Sequence, residues 1–321
     1  MEELFSAPGF EEFPLDLHLA MVQDQGRVRA FDQALEATVK KGDTVVDVGS
    51  GTGILAFLAH QRGAGKVLGL EVSDIIEAAR STQEKNFPDA DIQFLRVDAH
   101  RGRLPKDKAD VLVCELLGNF GLEEQIVPIL RRLRDRMLKP GGKMIPDRVD
   151  LMACPVDSDE VYDQLCGWGR RYRKIDFSAF QPLAFNRVYH LAEGEKVRFL
   201  AEPSHIKSLD LYTIQRAPRR LEANFEVSRG GRFHGMVTWF RARLAPDLWI
   251  DTSPKARHTH WGQVFFPCSE ELQLCKGDRI HFKLHLDENQ EERHWKWNVQ
   301  VQYKGEDELA ADFKLSAIGV R

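Results

Sequence analysis

With 321 residues, 45 Lys+Arg against 49 Asp+Glu and a net charge of −4, the chain has length for about two domains of roughly 150 residues each. The charge splits as 20 against 24 before Val149 and 25 against 25 from there on, so neither half is basic enough to grip nucleic acid or an anionic membrane. At 43% hydrophobic and 29% charged it can bury a large core, while apolar runs such as Ile54 to Ala59 fall far short of the ~20 residues of a membrane helix.

In chain order, Thr44 to Gly49 is a run of β-branched residues ending in glycine and predicts a strand. Ile54 to Gln61 predicts a helix, Val67 to Val72 a strand, and the stretch opened by Ser73 a second helix. Ile92 to Ala99 and Ala109 to Leu117 read as further strands. Glu124 to Leu138 carries apolar residues at helical spacing until Lys139-Pro-Gly-Gly142 stops it. This alternation predicts an α/β, Rossmann-like domain with a parallel sheet covered on both faces over residues 1–148. From Val149 the pattern turns β-like, with alternation from His281 to His285 and from Trp295 to Val301, and predicts an antiparallel β-barrel or sandwich over residues 149–321. Within it Asp159 to Phe185 reads as helical, with Trp168, Tyr172, Phe177 and Phe180 as large apolar side chains. Arg229-Gly230-Gly231-Arg232 separates two alternating runs and predicts the turn of a β-hairpin, its glycines taking positive φ. Five scattered cysteines without a C-x-x-C pair, and an acidic N-terminus where a secretory signal is basic, fit a reducing compartment. The expectation is a cytoplasmic protein, a reading that leaves the nucleus open as a second location.

The strongest chemical signal is Asp47-Val48-Gly49-Ser50-Gly51-Thr52-Gly53, at a strand end and before a helix. Alternate glycines let the backbone turn tightly and approach a ligand that would collide with any Cβ. Loops of this kind serve dinucleotides and S-adenosyl-L-methionine (SAM). A pyrophosphate prefers G-x-G-x-x-G at a helix N-terminus. Here G-x-G-x-G, with Asp47 two residues before Gly49, suits the ammonium and sulfonium of SAM instead. Glu71 ends the next strand, where an acid takes both hydroxyls of a ribose. Asp98 ends the one after, placed to accept from an adenine amino group or simply to cap its turn. Glu115 ends the strand after that, and a loop through Gly118 and Gly121 brings Glu124 back towards it. Two facing carboxylates match a guanidinium, which has five donors in a fixed fork. The plainer alternative is that Glu123 and Glu124 start the following helix, where acids suit its dipole. No His or Cys spacing suggests a metal site.

Taken in order, the glycine loop, Glu71, the Glu115–Glu124 segment, Thr252-Ser-Pro254 and Thr259-His260-Trp261 resemble the protein arginine methyltransferase family, from about Leu17 to the C-terminus. The resemblance implies methyl transfer from SAM to a terminal guanidino nitrogen of Arg/Gly-containing protein substrates, with S-adenosyl-L-homocysteine as product and no metal. It makes Glu115 and Glu124 the guanidinium clamp, with His260 and Trp261 beside the substrate. It also pairs Asp24 with His260, puts Arg27 on the SAM carboxylate, and lines the pocket near the methyl with Met21. Residues 159–185 become a dimerisation arm of a homodimer.

The stretch His18 to Arg27 resembles the family's N-terminal helix, and the chain departs from the family where tyrosines usually precede that helix. Its first tyrosine is Tyr162, and Phe10-Glu-Glu-Phe13 stands in their place. Leu116 and Leu117 side with the symmetric-dimethylating branch, and Met21 with the asymmetric one. Two rival readings are a SAM-dependent enzyme for small molecules and a weakly active or inactive relative that serves as a scaffold. The first has no use for paired acids facing a second domain, and the second does not require Arg27, Asp47, Glu71, Glu115, Glu124 and His260 together. Because R-G-G-R is also the sequence type the family prefers in substrates, Arg229 and Arg232 are expected targets of methylation by another copy if that segment is exposed.

Overall fold

The computed structural model describes residues 14–191, 196–257, 259–288 and 293–318, so Phe10 to Phe13 lie outside the described residues. Two helices lead in, α1 (Leu15–Gln23) and α2 (Gln25–Thr38), broken at Asp24. Next come β1 (Thr44–Val48), α3 (Ile54–Gln61), β2 (Lys66–Glu71), α4 (Ile75–Asn86), β3 (Ile92–Arg96), β4 (Ala109–Cys114), α5 (Ile126–Met137) and β5 (Leu138–Ile145). The five strands form one parallel sheet in the order β3-β2-β1-β4-β5. Its inner strands are buried almost end to end, because helices cover both faces.

Parallel register aligns the strand ends: Val48 lies opposite both Leu70 and Cys114. Glu71 and Glu115, one residue further on, therefore stand on the same edge of the sheet as the glycine loop. The order reverses at β1, and the crevice outside such a switch point is where sheets of this class bind ligands. The expected strand 109–117 ends at Cys114, which frees Glu115 to Leu117 for the loop. Lys139 to Gly142 bulge out of β5, where the pairing jumps from Ala109–Leu138 to Val111–Lys143.

The remainder is antiparallel. β6 (Arg148–Asp157) pairs with the long strand Gly231–Ala245, which pairs with Gln263–Leu274 in a seven-stranded sheet. Arg220–Glu226, Arg279–Glu288, Arg293–Gln302 and Ala311–Ile318 form a second sheet of four. In Arg220–Glu226 alternate residues are buried, as a strand with one solvated face requires. The two sheets close on each other through Phe266 of the first and Phe282, Trp295 and Trp297 of the second, at ring separations of 5.4–5.9 Å. The buried indole of Trp297 donates to the Pro267 carbonyl at 2.8 Å, so its one polar group is satisfied between the sheets.

Two expectations are corrected here. Residues 159–185 are helical in two pieces and not throughout: α6 (Asp159–Cys166) runs into a 3-10 turn at Gly167–Gly169, and a 3-10 turn at Ser178–Phe180 runs into Gln181–Phe185. Gly167 and Gly169 weaken the helix between them, and Arg173 and Lys174 take positive φ in a turn between two two-residue strands. The R-G-G-R segment is no hairpin turn, because the strands on either side of it belong to different sheets. Neither glycine takes positive φ. They are needed for close approach instead: a Cβ on Gly231 would stand 2.8 Å from Leu200, and one on Gly230 3.0 Å from the Leu274 carbonyl. Among the described residues no helix is long and apolar enough to cross a membrane.

Candidate active site

Gly49, Gly51 and Gly53 all take positive φ, at 69°, 50° and 83°. Gly49 and Ser50 hang from β2, both donating to the Leu70 carbonyl at 2.9 and 3.0 Å. A Cβ on Gly49 would lie 2.8 Å from Leu116, so this glycine lets the SAM-type loop sit against the Glu115 loop. One on Gly51 would lie 3.5 Å from the His18 ring, which places α1 over the loop. Glu71 accepts from the amides of Gly51, Val72 and Ser73 at 2.8–2.9 Å, using three of the roughly four acceptor positions of a carboxylate. Ser50 Oγ is buried with no partner among the described residues. Asp98 does cap its turn, accepting from His100 and Arg101 at 2.7 and 3.1 Å.

Asp47 lies beneath this loop, 1% exposed, and accepts from the Ala56 amide at 3.0 Å. Burial raises its pKa to about 7; the Ala56 amide and the Arg27 charge oppose this, and the charges of Glu71 and Glu115 add to it. A buried carboxyl of that kind gains from a cationic ligand. With the glycine cradle and the unpartnered Ser50 hydroxyl, the residues present fit SAM.

Arg27 and Glu115 meet directly. The Arg27 Nε and Nη2 donate to the same oxygen, Glu115 Oε2, at 3.0 and 2.8 Å, and both side chains are 6% exposed. Nη1 donates to the Met21 carbonyl at 3.1 Å, tying α1 to the pair. Arg27 thus holds one oxygen of Glu115, Oε2, through two of its nitrogens.

The two neighbouring acids at the far end of the loop have separate positions. Glu123 accepts from the amides of Asn119 and, at 3.1 Å, Phe120, closing the loop over Gly118. Glu124 is half-buried and lies near enough to Cys114 for its charge to act there. Burial, then the charges of Glu115, Asp47 and Glu124, push the Cys114 thiol well up. Neither acid starts the helix: α5 begins at Ile126, after Gln125 in left-handed conformation.

The second domain enters through Thr259 to Trp261. Asp24 Oδ2 accepts from the main-chain N–H of His260 at 2.8 Å and from its Nδ1 at 3.0 Å, while Oδ1 caps α2 through the Arg27 amide at 2.9 Å. Burial opposes ionisation of Asp24, but these hydrogen bonds, led by the His260 ring, outweigh it and bring the pKa down to about 2. Trp261 is 4% exposed and sits edge-on to Phe240 at 5.4 Å. Thr252 braces the same strand, its Oγ1 donating to the Phe240 carbonyl at 3.0 Å and accepting from the Phe240 amide at 3.2 Å.

Three contributors went unread in the sequence. Asn119 accepts from the Gly262 amide at 3.0 Å and meets His190 Nδ1 at 3.0 Å, so it bridges the Glu115 loop to the barrel. Only the position of Asn119 inside the loop hints at this, and nothing marks His190. His18 opens the N-terminal stretch already singled out. The same loop packs on the barrel through buried Phe120, edge-on to Trp295 at 5.9 Å, and through Gly121, whose Cβ would stand 2.8 Å from Val149.

Comparison with known proteins matches residues 147–308 to a family model described as the arginine methyltransferase oligomerization subdomain. Residues 32–146 match one described as ribosomal protein L11 methyltransferase. Protein arginine N-methyltransferase 6 of Xenopus laevis is 30% identical over 275 residues, 81% of this chain and 80% of that protein. Protein arginine N-methyltransferase 1 of Saccharomyces cerevisiae is 29% identical over 300 residues, 90% of this chain and 85% of that one. Among solved structures, the Trypanosoma brucei PRMT1 enzyme–prozyme heterotetrameric complex with AdoHcy superposes with a TM-score of 0.83 at 23% identity, over 95% of this chain and 98% of that one. Arabidopsis thaliana protein arginine methyltransferase 10, in an open conformation, gives 0.78 at 24% identity, over 94% and 97%. The fold is shared along nearly the whole chain.

Proposed function

The chain belongs to the protein arginine methyltransferase family, and we propose that its Glu115 and Glu124 hold the guanidinium of a protein arginine for methylation at a terminal nitrogen. The observation that carries this reading is convergence. Arg27, Glu71 and Glu115 all act electrostatically on Asp47 at one edge of the parallel sheet, and His260 is bonded to Asp24, three residues before Arg27, across 236 residues. When bound, SAM supplies a methyl group made electrophilic by its sulfonium, and S-adenosyl-L-homocysteine is what remains. Asp47, Glu71 and the glycine loop are the residues to hold it.

The guanidinium is a poor nucleophile, since its lone pairs are delocalised and its pKa exceeds ~12. Removing a proton from it outright at neutral pH costs about 7–9 kcal/mol, at ~1.36 kcal/mol per pH unit. Positioning of a nucleophile lowers barriers by ~7–11 kcal/mol, so holding and aligning the group suffices in place of a strong base. Glu115 brings a counter-charge with it: Arg27 occupies Oε2 and fixes the carboxylate, while Oε1 is left to polarise the substrate. Asp24 orients His260 through Nδ1, so the lone pair for a departing proton is on Nε2. The proton leaves after the nitrogen–carbon bond forms, to Glu124 or to this imidazole.

The arm supports assembly as a homodimer. Trp168, Tyr172, Ile175, Phe180 and Leu183 stay 43–67% exposed on one short segment, an apolar surface that a lone protomer does not normally display. Light scattering should give twice the 36.7 kDa chain mass, and Leu183→Glu should return it to that of one chain. For the reaction, incubation with labelled SAM and an Arg/Gly-rich peptide should place label on arginine. Amino-acid analysis then identifies monomethyl, symmetric or asymmetric dimethyl product. No label on arginine under conditions where SAM binds would overturn the proposal.

A further inference from the structure

Away from the acids, α5 and the loop 215–219 border a half-open cavity of about 750 Å³ that five arginines line. Arg131, Arg132 and Arg136 face it from the helix, Arg216 and Arg219 from the loop, and His100 from the turn after β3. The floor is apolar, from Val127, Pro128 and Ala217. One carboxylate, Asp135, lines it, and that is shared with Arg134 at 2.9 Å and Arg131 at 3.9 Å.

The guanidiniums are unequally engaged. Arg132 donates to the Ala99 and Gly102 carbonyls, and Arg131 to the Gln215 carbonyl at 3.1 Å, so these two build the walls. Arg136, Arg216 and Arg219 are exposed, and among the described residues no side-chain hydrogen bond or ion pair engages them. Like charges four residues apart on a helix, as Arg132 and Arg136 are, destabilise it. In a chain of net charge −4, five guanidiniums gathered around one cavity make a local concentration of positive charge.

We infer that this cavity takes an acidic segment of the protein substrate, through carboxylates or phosphates against Arg136, Arg216 and Arg219. The inference rests on the methyltransferase reading for its connection to catalysis. The cavity is built on the elements that carry the site: Val127 is three residues after Glu124, and His100 two after Asp98. From Ile126, where α5 starts, to Arg136 is 10 residues, about 15 Å at 1.5 Å per helical residue, and the two non-helical residues back to Glu124 bring the span to roughly 20 Å. An extended chain covers that in about six residues at ~3.3 Å each. The acidic segment is therefore placed about six or more residues from the methylated arginine. A net-neutral peptide with a basic Arg/Gly core and an acidic tail would satisfy both the carboxylate-lined site and this arginine-lined one. The apolar side chains of Val127, Pro128 and Ala217 among the arginines favour a peptide, which offers apolar side chains beside its acids, over a nucleic-acid backbone, which binds through phosphates along basic surface.

The test uses two peptides with one Arg/Gly core, one bearing an Asp/Glu tail eight residues away and the other a Ser/Gln tail. The acidic tail should lower KM about tenfold with kcat unchanged, and the advantage should shrink with added salt. Arg216→Glu with Arg219→Glu should erase it while leaving the neutral-tail peptide within about twofold of the parent enzyme. In parallel, fluorescence anisotropy of the labelled Asp/Glu tail alone, without core or SAM, should show binding to the parent protein and none to the double variant. That arm reads the cavity even if no arginine is methylated, so failure of the catalytic reading and of this one are separable. Absence of tail binding, a KM advantage that survives the double variant, or preference for a single-stranded RNA oligonucleotide of equal charge would each overturn the inference.

Discussion

In the parallel half, Asp47, Glu71 and Glu115 each lie at or one residue from a strand end, and the sheet's own register aligns them. In the antiparallel half, His260 and Trp261 lie on a connection between the strands Leu248–Asp251 and Gln263–Leu274, and no ladder positions them. They are held by contacts across the chain: Asp24 on His260, Asn119 on Gly262, Phe240 against Trp261. One half thus makes a site by hydrogen-bonded backbone, the other by side chains that reach over. Removing a functional group from the first should stop the chemistry and leave the scaffold; removing a contact from the second should loosen the site itself.

The sharpest way to separate the two is Glu115→Gln. It takes the charge from one arm of the clamp and should cut kcat at least about a hundredfold, near 2.7 kcal/mol of barrier. Calorimetry with S-adenosyl-L-homocysteine should meanwhile show affinity within about threefold. Turnover close to that of the parent enzyme would sink the clamp.

Asp24→Asn tests the other half. The folded pKa of about 2 lies below the 3.8 of an ordinary aspartate, so the carboxylate stabilises the fold above pH ~4 and loses that contribution as pH falls through 2. The variant should be about 2 kcal/mol less stable at pH 7 in urea titrations, the gap narrowing between pH 4 and pH 2. A constant gap over that range would mean that the pair contributes through packing and not through charge.

Asp47 makes a smaller, pH-dependent prediction for the parallel half. Its pKa of about 7 is raised, so below that pH a cationic ligand must displace a proton to meet the carboxylate. SAM affinity should rise about tenfold from pH 6 to pH 8 and flatten above. In Asp47→Asn the profile should be flat, as calorimetry over the same range will show.

The smallest effect is expected at the sheet-to-sheet connection. Both arginines are exposed, but Arg232 is paired with Asp159 and Glu271, whereas Arg229 makes no ion pair among the described residues. Mass spectrometry after incubation with SAM alone should find at most trace methylation, on Arg229 and absent from a Glu115→Gln control. Methyl on Arg232 instead would show that the connection opens and its ion pairs break.

How far these groups were legible depends on how local their cause is. Glu115 was readable because an apolar run stops beside it and parallel strands end at one edge. That Glu123 and not Glu124 clasps the loop was not, since both have the same chemistry and their difference is one step of backbone direction after a left-handed Gly118. The arm was read as helical from its ends, while the turn at Arg173 and Lys174 has no glycine to announce it.

The sequence by itself determined the parallel sheet, the glycine cradle, the alternating strands and the identity of the acids, because each depends on neighbours a few residues apart. Only the tertiary structure decided that Arg27 grips Glu115 across 88 residues, that Asn119 meets His190 across 71, and that R-G-G-R crosses between sheets. Pairings at that range follow from strand order and from which buried charge needs a partner, and a local pattern carries neither.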